Sequence, residues 1–331
     1  TPEQTINSIF ENALTDNTAE EHLYYLCKET KGRIPGSAQA IHAVEYTKWA
    51  LMQAGADTVW LQEVPVPQWE RGKEKAVVYS DMGNISLTIA ALGLSVGTDS
   101  EGIESEVIEL RSFDDLEALG KDVISGKIVF FNRPVDNTII NTFAGYAGAV
   151  DQRVYGASEA SLYGALAVIV RSPTQADHDF AHTGVVRYKD GIKKIPAVSI
   201  SPADANRLSE MLSSYKNVRL SLVSTCRNLP DTISYNVVGE IRGTKLPGEY
   251  ITVGGHLDAW DISEGAHDDA GGCVQSIETI RLFKTLGIKP KRSVRAVMFM
   301  NEEMTSTGGI RYADLAEENG EIHYAALESD R

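Results

Sequence analysis

The sequence predicts an α/β protein interrupted by a β-rich module. After Pro230, apolar runs of strand character alternate with amphipathic stretches of helical spacing, the pattern of parallel strands joined by right-handed crossovers. From roughly Trp69 to Arg227 the texture changes to short β-rich runs separated by frequent turn residues. At 331 residues the chain is also long for one ordinary core, so two domains are expected.

The elements follow in order. NTAEEHLYYLCKE starts at an Asn17 or Thr18 cap and carries apolar residues at helical spacing. SAQAIHAVEYTKWALMQAG repeats that pattern and stops at Gly55, a good helix terminator. DTVWLQEVPVP reads as a strand ended by its prolines. In the middle module KAVVYS, ISLTIAAL, SEVIEL, GKIVFFNRP, ALAVIVRS and IPAVSIS are strand candidates, and GASEASLYGA and PADANRLSEMLSSY read as helices. Past Pro230, YITVGG is a β-rich run. CVQSIETIRLFKTLG places Val274, Ile277, Ile280, Leu282, Phe283 and Leu286 on a helical stripe closed by Gly287. VRAVMFM is almost continuously apolar, as a strand buried on both faces would be. IRYADLAEENG then reads as a helix and IHYAAL as a strand. Residues 1–66 and 231–331 are therefore expected to form one α/β unit, with 67–230 as a separate inserted domain outside the sheet that holds VRAVMFM.

Charge narrows the functional classes. Lys and Arg number 31 against 46 Asp and Glu, a net of -15, and no basic run appears. Nucleic acid and anionic membrane surfaces both call for clustered cations, so neither is an expected partner. Cys27, Cys226 and Cys273 are few and far apart, which indicates neither a disulfide framework nor a cysteine zinc knot. No apolar run approaches the length of a membrane span. The sequence opens at Thr1 with no signal-like segment, so any export signal is expected to have been removed or never present.

Residues 253–272, VGGHLDAWDISEGAHDDAGG, concentrate acids, histidines and glycines. In an open parallel sheet, ligands bind beyond the carboxyl ends of the strands. The first such strand ends at His256 and Asp258, the second at Asn301-Glu302-Glu303, and the third at Glu328-Ser329-Asp330. Asp268 and Asp269 occupy the glycine-rich turn that opens the intervening helix. Any one of these pieces is common on a solvated surface. Together they crowd like charges at one rim, which calls for a cation to neutralise them.

These residues resemble a family, the zinc exopeptidases that include carboxypeptidase Q, glutamate carboxypeptidase II and secreted bacterial aminopeptidases. The likeness runs through GRIPGS, PQWERG at 67–72, HTGVVRYKDGIKKIPA at 182–197, GGHLDAWD, GAHDDAGG, NEE and ESD. The HTG and WERG stretches point to the carboxypeptidase Q branch. The resemblance implies an α/β/α sandwich peptidase domain around a mixed, largely parallel sheet, with 67–230 as an inserted protease-associated domain. It implies two zinc ions per subunit. His256 and Asp330 would bind the first, Asp268 would bridge both, and Glu303 would bind the second. Glu302 would be the general base. Asp258 would support catalysis by accepting the second ring N–H of His256. It also implies a cis peptide between Asp268 and Asp269. Members draw a final histidine ligand from well past the ESD motif, and this sequence stops at Arg331. A longer natural protein is therefore expected, the second zinc site lacking that histidine here. The implied substrate is a dipeptide or short peptide, the compartment extracytoplasmic, and a homodimer possible.

Other groups read more plainly. His267 is expected to face outward, Asp269 to shape the turn, and Asp261 and Glu264 to be solvated loop charges. His178 and His182 fall in the inserted module, with a structural or rim role. Cys273 reads as a small buried residue, and His323 lies on the wrong element to be a ligand. Two rival functions remain at this level. One is a non-catalytic, receptor-like ectodomain of the same architecture; the other is a single-zinc acyl transferase resembling glutaminyl cyclase.

Overall fold

The computed structural model describes residues 1–81 and 83–330. Three helices come first: α1 (Pro2–Thr15), α2 (Thr18–Lys28) and α3 (Ala38–Gln53). α1 precedes the helices legible in the sequence. Thr1 caps it and Pro2 opens it, but it buries no residue, so it has no strong apolar stripe to read. For α3 the Ser37 hydroxyl accepts the Ala40 N–H at 3.1 Å, and Gly55, at φ +88°, follows its end.

β1 (Thr58–Glu70) does not end at its prolines, as the sequence suggested, but runs through Pro65 and Pro67. It is an edge strand, where a missing N–H leaves no ladder partner unsatisfied. The chain continues through β2 (Glu74–Ser80), β3 (Gly83–Leu87), β4 (Ile89–Ala91), β5 (Ile103–Leu110), α4 (Asp114–Leu119) and α5 (Lys121–Ile124). Next come β6 (Ile128–Phe131), α6 (Thr142–Leu162), β7 (Ala167–Arg171), β8 (Ala197–Ile200), α7 (Pro202–Ser214) and β9 (Arg219–Ser224). The last third holds β10 (Arg227–Ile241), β11 (Leu246–His256), α8 (Gly271–Thr285), β12 (Arg292–Phe299), α9 (Glu302–Thr305), α10 (Thr307–Glu318) and β13 (Ile322–Glu328).

The described chain forms two compact units, Thr1–Gln68 together with the chain from Pro230 onward, and Trp69–Leu229. The first is built on a five-stranded sheet of order β1-β10-β12-β11-β13. β11 pairs in parallel with both β12 and β13, whereas β10 runs antiparallel to β12, so the sheet is mixed. β10 has no counterpart among the strands read from the sequence, because Pro230 and its alternating polar residues mask it. β12 sits in the middle, and Ser293 to Met298 are buried throughout. Its inner neighbours include Leu26, Leu51, Val237, Leu257, Ile277 and Ile280. Ile277 and Ile280 of α8 are at most 1% exposed, each worth about 1.5–3 kcal/mol relative to exposure. The parallel register sets His256 opposite Phe299 and Gly254 opposite Glu328. Three carboxyl strand ends therefore finish at one level.

The second unit has its own eight-stranded sheet, of order β3-β2-β9-β5-β6-β7-β8-β4. β5, β6, β7 and β8 are parallel and the flanking strands antiparallel. Val129, Phe131, Val168, Val170 and Ile195 belong to its core, covered in part by α6. Glu70 and Arg227, one near each end of this segment, meet at 2.6 Å. No described helix is long and apolar enough to cross a membrane.

Candidate metal centre

β11 delivers His256 as its last residue, and the backbone beyond it is fixed on both sides. Leu257 N–H donates to the Phe299 carbonyl at 2.6 Å, and Ser329 N–H donates to the Gly254 carbonyl at 3.0 Å. The His256 ring is 1% exposed and forms the floor of the site. Its Nδ1 faces the Asp258 main-chain carbonyl at 3.0 Å, which leaves Nε2 directed outward. Nε2 lies 2.9 Å from Asp268 Oδ1 and 3.8 Å from Asp330 Oδ1. One ligand atom from each of His256, Asp268 and Asp330 falls within 4.8 Å of the others, with both carboxylates open to solvent. An imidazole nitrogen with two carboxylates is a donor set that suits zinc. Three expected ligands thus converge. Glu303 lies outside that group of three, on α9.

Asp258 differs from its sequence expectation. Its carboxylate does not serve the imidazole: Oδ1 is 3.9 Å from Nδ1, and the carbonyl takes that contact instead. Fully buried, the carboxylate accepts three successive amides, Asn301 at 2.6 Å, Glu302 at 3.1 Å and Glu303 at 3.2 Å. The turn there needs Asn301 at φ +69°, a conformation asparagine tolerates better than most residues. Asp258 therefore fixes the backbone of both glutamates.

Asp269 ties the turn together. Its Oδ2 accepts the His256 N–H at 3.0 Å and its Oδ1 the Gly272 N–H at 2.9 Å, so it joins the end of β11 to the start of α8. The Asp268–Asp269 peptide is cis. Cys273 is fully buried and donates its thiol to the His256 carbonyl at 3.2 Å.

Crowded acids raise one another's pKa. Burial pushes Glu303 up to about 9, aided by the nearby charges of Asp268 and Asp258. Burial also lifts Asp269 to about 7 and raises Glu302, Glu328 and Asp258. For His256, burial opposes the proton, but Asp268 and Asp330 outweigh it and hold the ring up to about 12. A rim whose acids retain protons is one that a bound cation would relieve. Glu302 also lines a cleft with Phe299, Ser306, Gly309, Tyr312 and Glu328.

The remaining candidates separate cleanly. His267 is exposed, and Glu264 pairs with Lys28 at 2.8 Å. His323 contacts Thr252 and Glu321 at the opposite end of β13. In the second unit, His178 and His182 meet Nε2 to Nε2 at 3.0 Å, stacked along Phe180. One residue escaped sequence reasoning. Arg33, inside GRIPGS, is fully buried and bonds to carbonyls of the loop that follows His256. Its only signal was a cation set between glycine and proline in a quoted motif.

The sequence model of Peptidase family M28 matches residues 236–330. Carboxypeptidase Q from Bos taurus is 38% identical over 314 residues, which cover 95% of this chain and 64% of that protein. The Homo sapiens protein of that name is 37% identical over the same length. The chain thus spans 64% of the length of these relatives. The crystal structure of a peptidase M28 precursor from Shewanella amazonensis superposes with a TM-score of 0.93 at 32% identity, over 99% of this chain and 73% of that one. A zinc aminopeptidase from Bacillus subtilis shares the fold, with a TM-score of 0.63 at 19% identity over 90% of this chain and 64% of its own. With the Shewanella amazonensis relative 32% identical over 99% of this chain, and with residues 236–330 matching the family's own model, the chain belongs to peptidase family M28.

Proposed function

We propose that this protein is a zinc-dependent exopeptidase acting on dipeptides or short peptides. The observation that carries the reading is the convergence of His256 Nε2 and Asp330, at the ends of parallel strands, with Asp268 from the turn before α8. Those three would hold one zinc, and Asp268 with Glu303 would contribute to a second. Bound zinc polarises a scissile carbonyl and lowers the pKa of water toward neutrality. Glu302, which lines the adjacent cleft, would take the proton from the attacking water and pass it to the leaving amine. Its pKa, raised by burial, moves it toward the range a general base needs at neutral pH. Asp258 would hold Glu302 and Glu303 in register through their amides.

The relatives' names include both a carboxypeptidase and an aminopeptidase, so the proposal stays at exopeptidase. We also assign Trp69–Leu229 as a protease-associated domain, supported by its own sheet, its own core and the closeness of its ends. An extracytoplasmic location fits the same reading. The test is release of free amino acids from a dipeptide panel, abolished by a chelator and restored by zinc. Glu302→Gln should keep its zinc and lose turnover by about 100-fold or more. Near-normal turnover in that variant would remove Glu302 from the mechanism.

A further inference from the structure

Arg33 is among the largest fully buried side chains of the protein. Its guanidinium donates to four main-chain carbonyls: Nε to Leu257 at 2.6 Å, Nη1 to Leu26 at 3.1 Å and Glu264 at 2.9 Å, and Nη2 to Gly265 at 2.7 Å. The Arg33 carbonyl in turn accepts the Ala259 N–H at 3.3 Å. Burying a cation is costly, and an apolar replacement of similar volume is often no less stable. A guanidinium placed here serves geometry better than it serves stability.

Its partners show what that geometry controls. Leu257 directly follows His256, and Gly265 lies three residues before Asp268. Arg33 therefore grips both ends of the 257–265 loop and anchors them to the Leu26 carbonyl near the end of α2. Gly265 adds an independent observation. It sits at φ +58°, and a Cβ there would overlap the Ala259 Cβ and lie 2.7 Å from Arg33 Nη2. The loop end therefore leaves no room for a side chain between Ala259 and the guanidinium.

We propose that Arg33 is a positioning residue for the metal centre, setting the spacing between His256 and Asp268 by holding both ends of the loop between them. This rests on the reading of His256 and Asp268 as zinc ligands. The test measures zinc affinity of the metal-free protein by competition with a chromogenic chelator, alongside its thermal unfolding without metal. Arg33→Lys keeps the charge but replaces a planar five-donor fork with a single ammonium. Gly265→Ala leaves Arg33 in place and crowds both it and Ala259. Both variants should remain cooperatively folded and bind zinc about 10- to 100-fold more weakly, the loss typical of removing a group that orients a ligand. Wild-type zinc affinity in either folded variant overturns the proposal. So does loss of cooperative unfolding in both, which would make Arg33 a staple of the fold. His256→Ala runs in parallel: if the wild type binds zinc no better than that variant, the metal reading itself fails, whatever Arg33 does.

Discussion

The carboxylate of Asp258 grips three consecutive amides, while the imidazole of His256 rests on the carbonyl of the same residue. Those contacts predict a separable phenotype. Asp258→Asn should leave the ring contact and the zinc at His256 intact, because the carbonyl is unchanged. It should lower kcat by about 10- to 100-fold, because the backbone of Glu302 and Glu303 loses its charged anchor. Elemental analysis and steady-state kinetics check this, and loss of zinc would restore the side-chain contact expected from sequence. The rim itself was legible because acids repeated at strand ends and in the glycine-rich turn need a counter-charge, whereas the individual ligand roles of His256, Asp268 and Asp330 came from the family resemblance. For Asp258 the sequence does not distinguish carbonyl from carboxylate as the partner of the ring; the turn geometry brings the carbonyl to 3.0 Å and leaves the carboxylate at 3.9 Å. Arg33 was invisible because its partners are main-chain carbonyls, which leave no mark in a sequence.

At the scale of elements, the glycines of the turn and the acids of the rim carry the testable consequences. A Cβ at Gly272 would overlap the Ser329 carbonyl oxygen and lie 2.5 Å from Asp269 Oδ2, where α8 starts between two strand ends. Gly272→Ala should cost at least about 1–3 kcal/mol in urea unfolding, since the obstacle is backbone and cannot swing aside. The rim predicts a pH dependence. Glu303 at about 9 and Asp269 at about 7 lie above their ordinary values, so the folded state holds protons the unfolded chain releases. His256, held up to about 12, acts in the same direction. Stability of the metal-free protein should therefore fall as pH rises from about 5 to 9. Zinc, which binds deprotonated ligands, should raise Tm by a growing margin over that range. A metal-free Tm that climbs from pH 5 to 9 would contradict the electrostatic account. Helix α8 was readable from its helical stripe and strand β12 from its nearly continuous apolar run. Strand β1 was truncated because its edge placement, which local preference does not reveal, tolerates its prolines, and β10 was missed because Pro230 and its polar alternation mask it.

For the whole molecule, the sequence changes texture from roughly Trp69 to Arg227, and the structure divides into two compact units, each with its own sheet. The ends of the Trp69–Leu229 segment meet through Glu70 and Arg227, the arrangement that lets a domain sit inside another chain. Expressed alone, residues 69–229 should unfold cooperatively and bind no zinc at the affinity of the intact protein. Calorimetry of that fragment decides the point. The central claim is the metal centre at the strand ends, and the most direct measurement is zinc content after exhaustive dialysis, wild type against His256→Ala. The account predicts stoichiometric zinc retained by the wild type and lost from a variant that keeps its circular dichroism spectrum. Equal zinc in the two proteins, or none in the wild type after zinc is supplied, would contradict it.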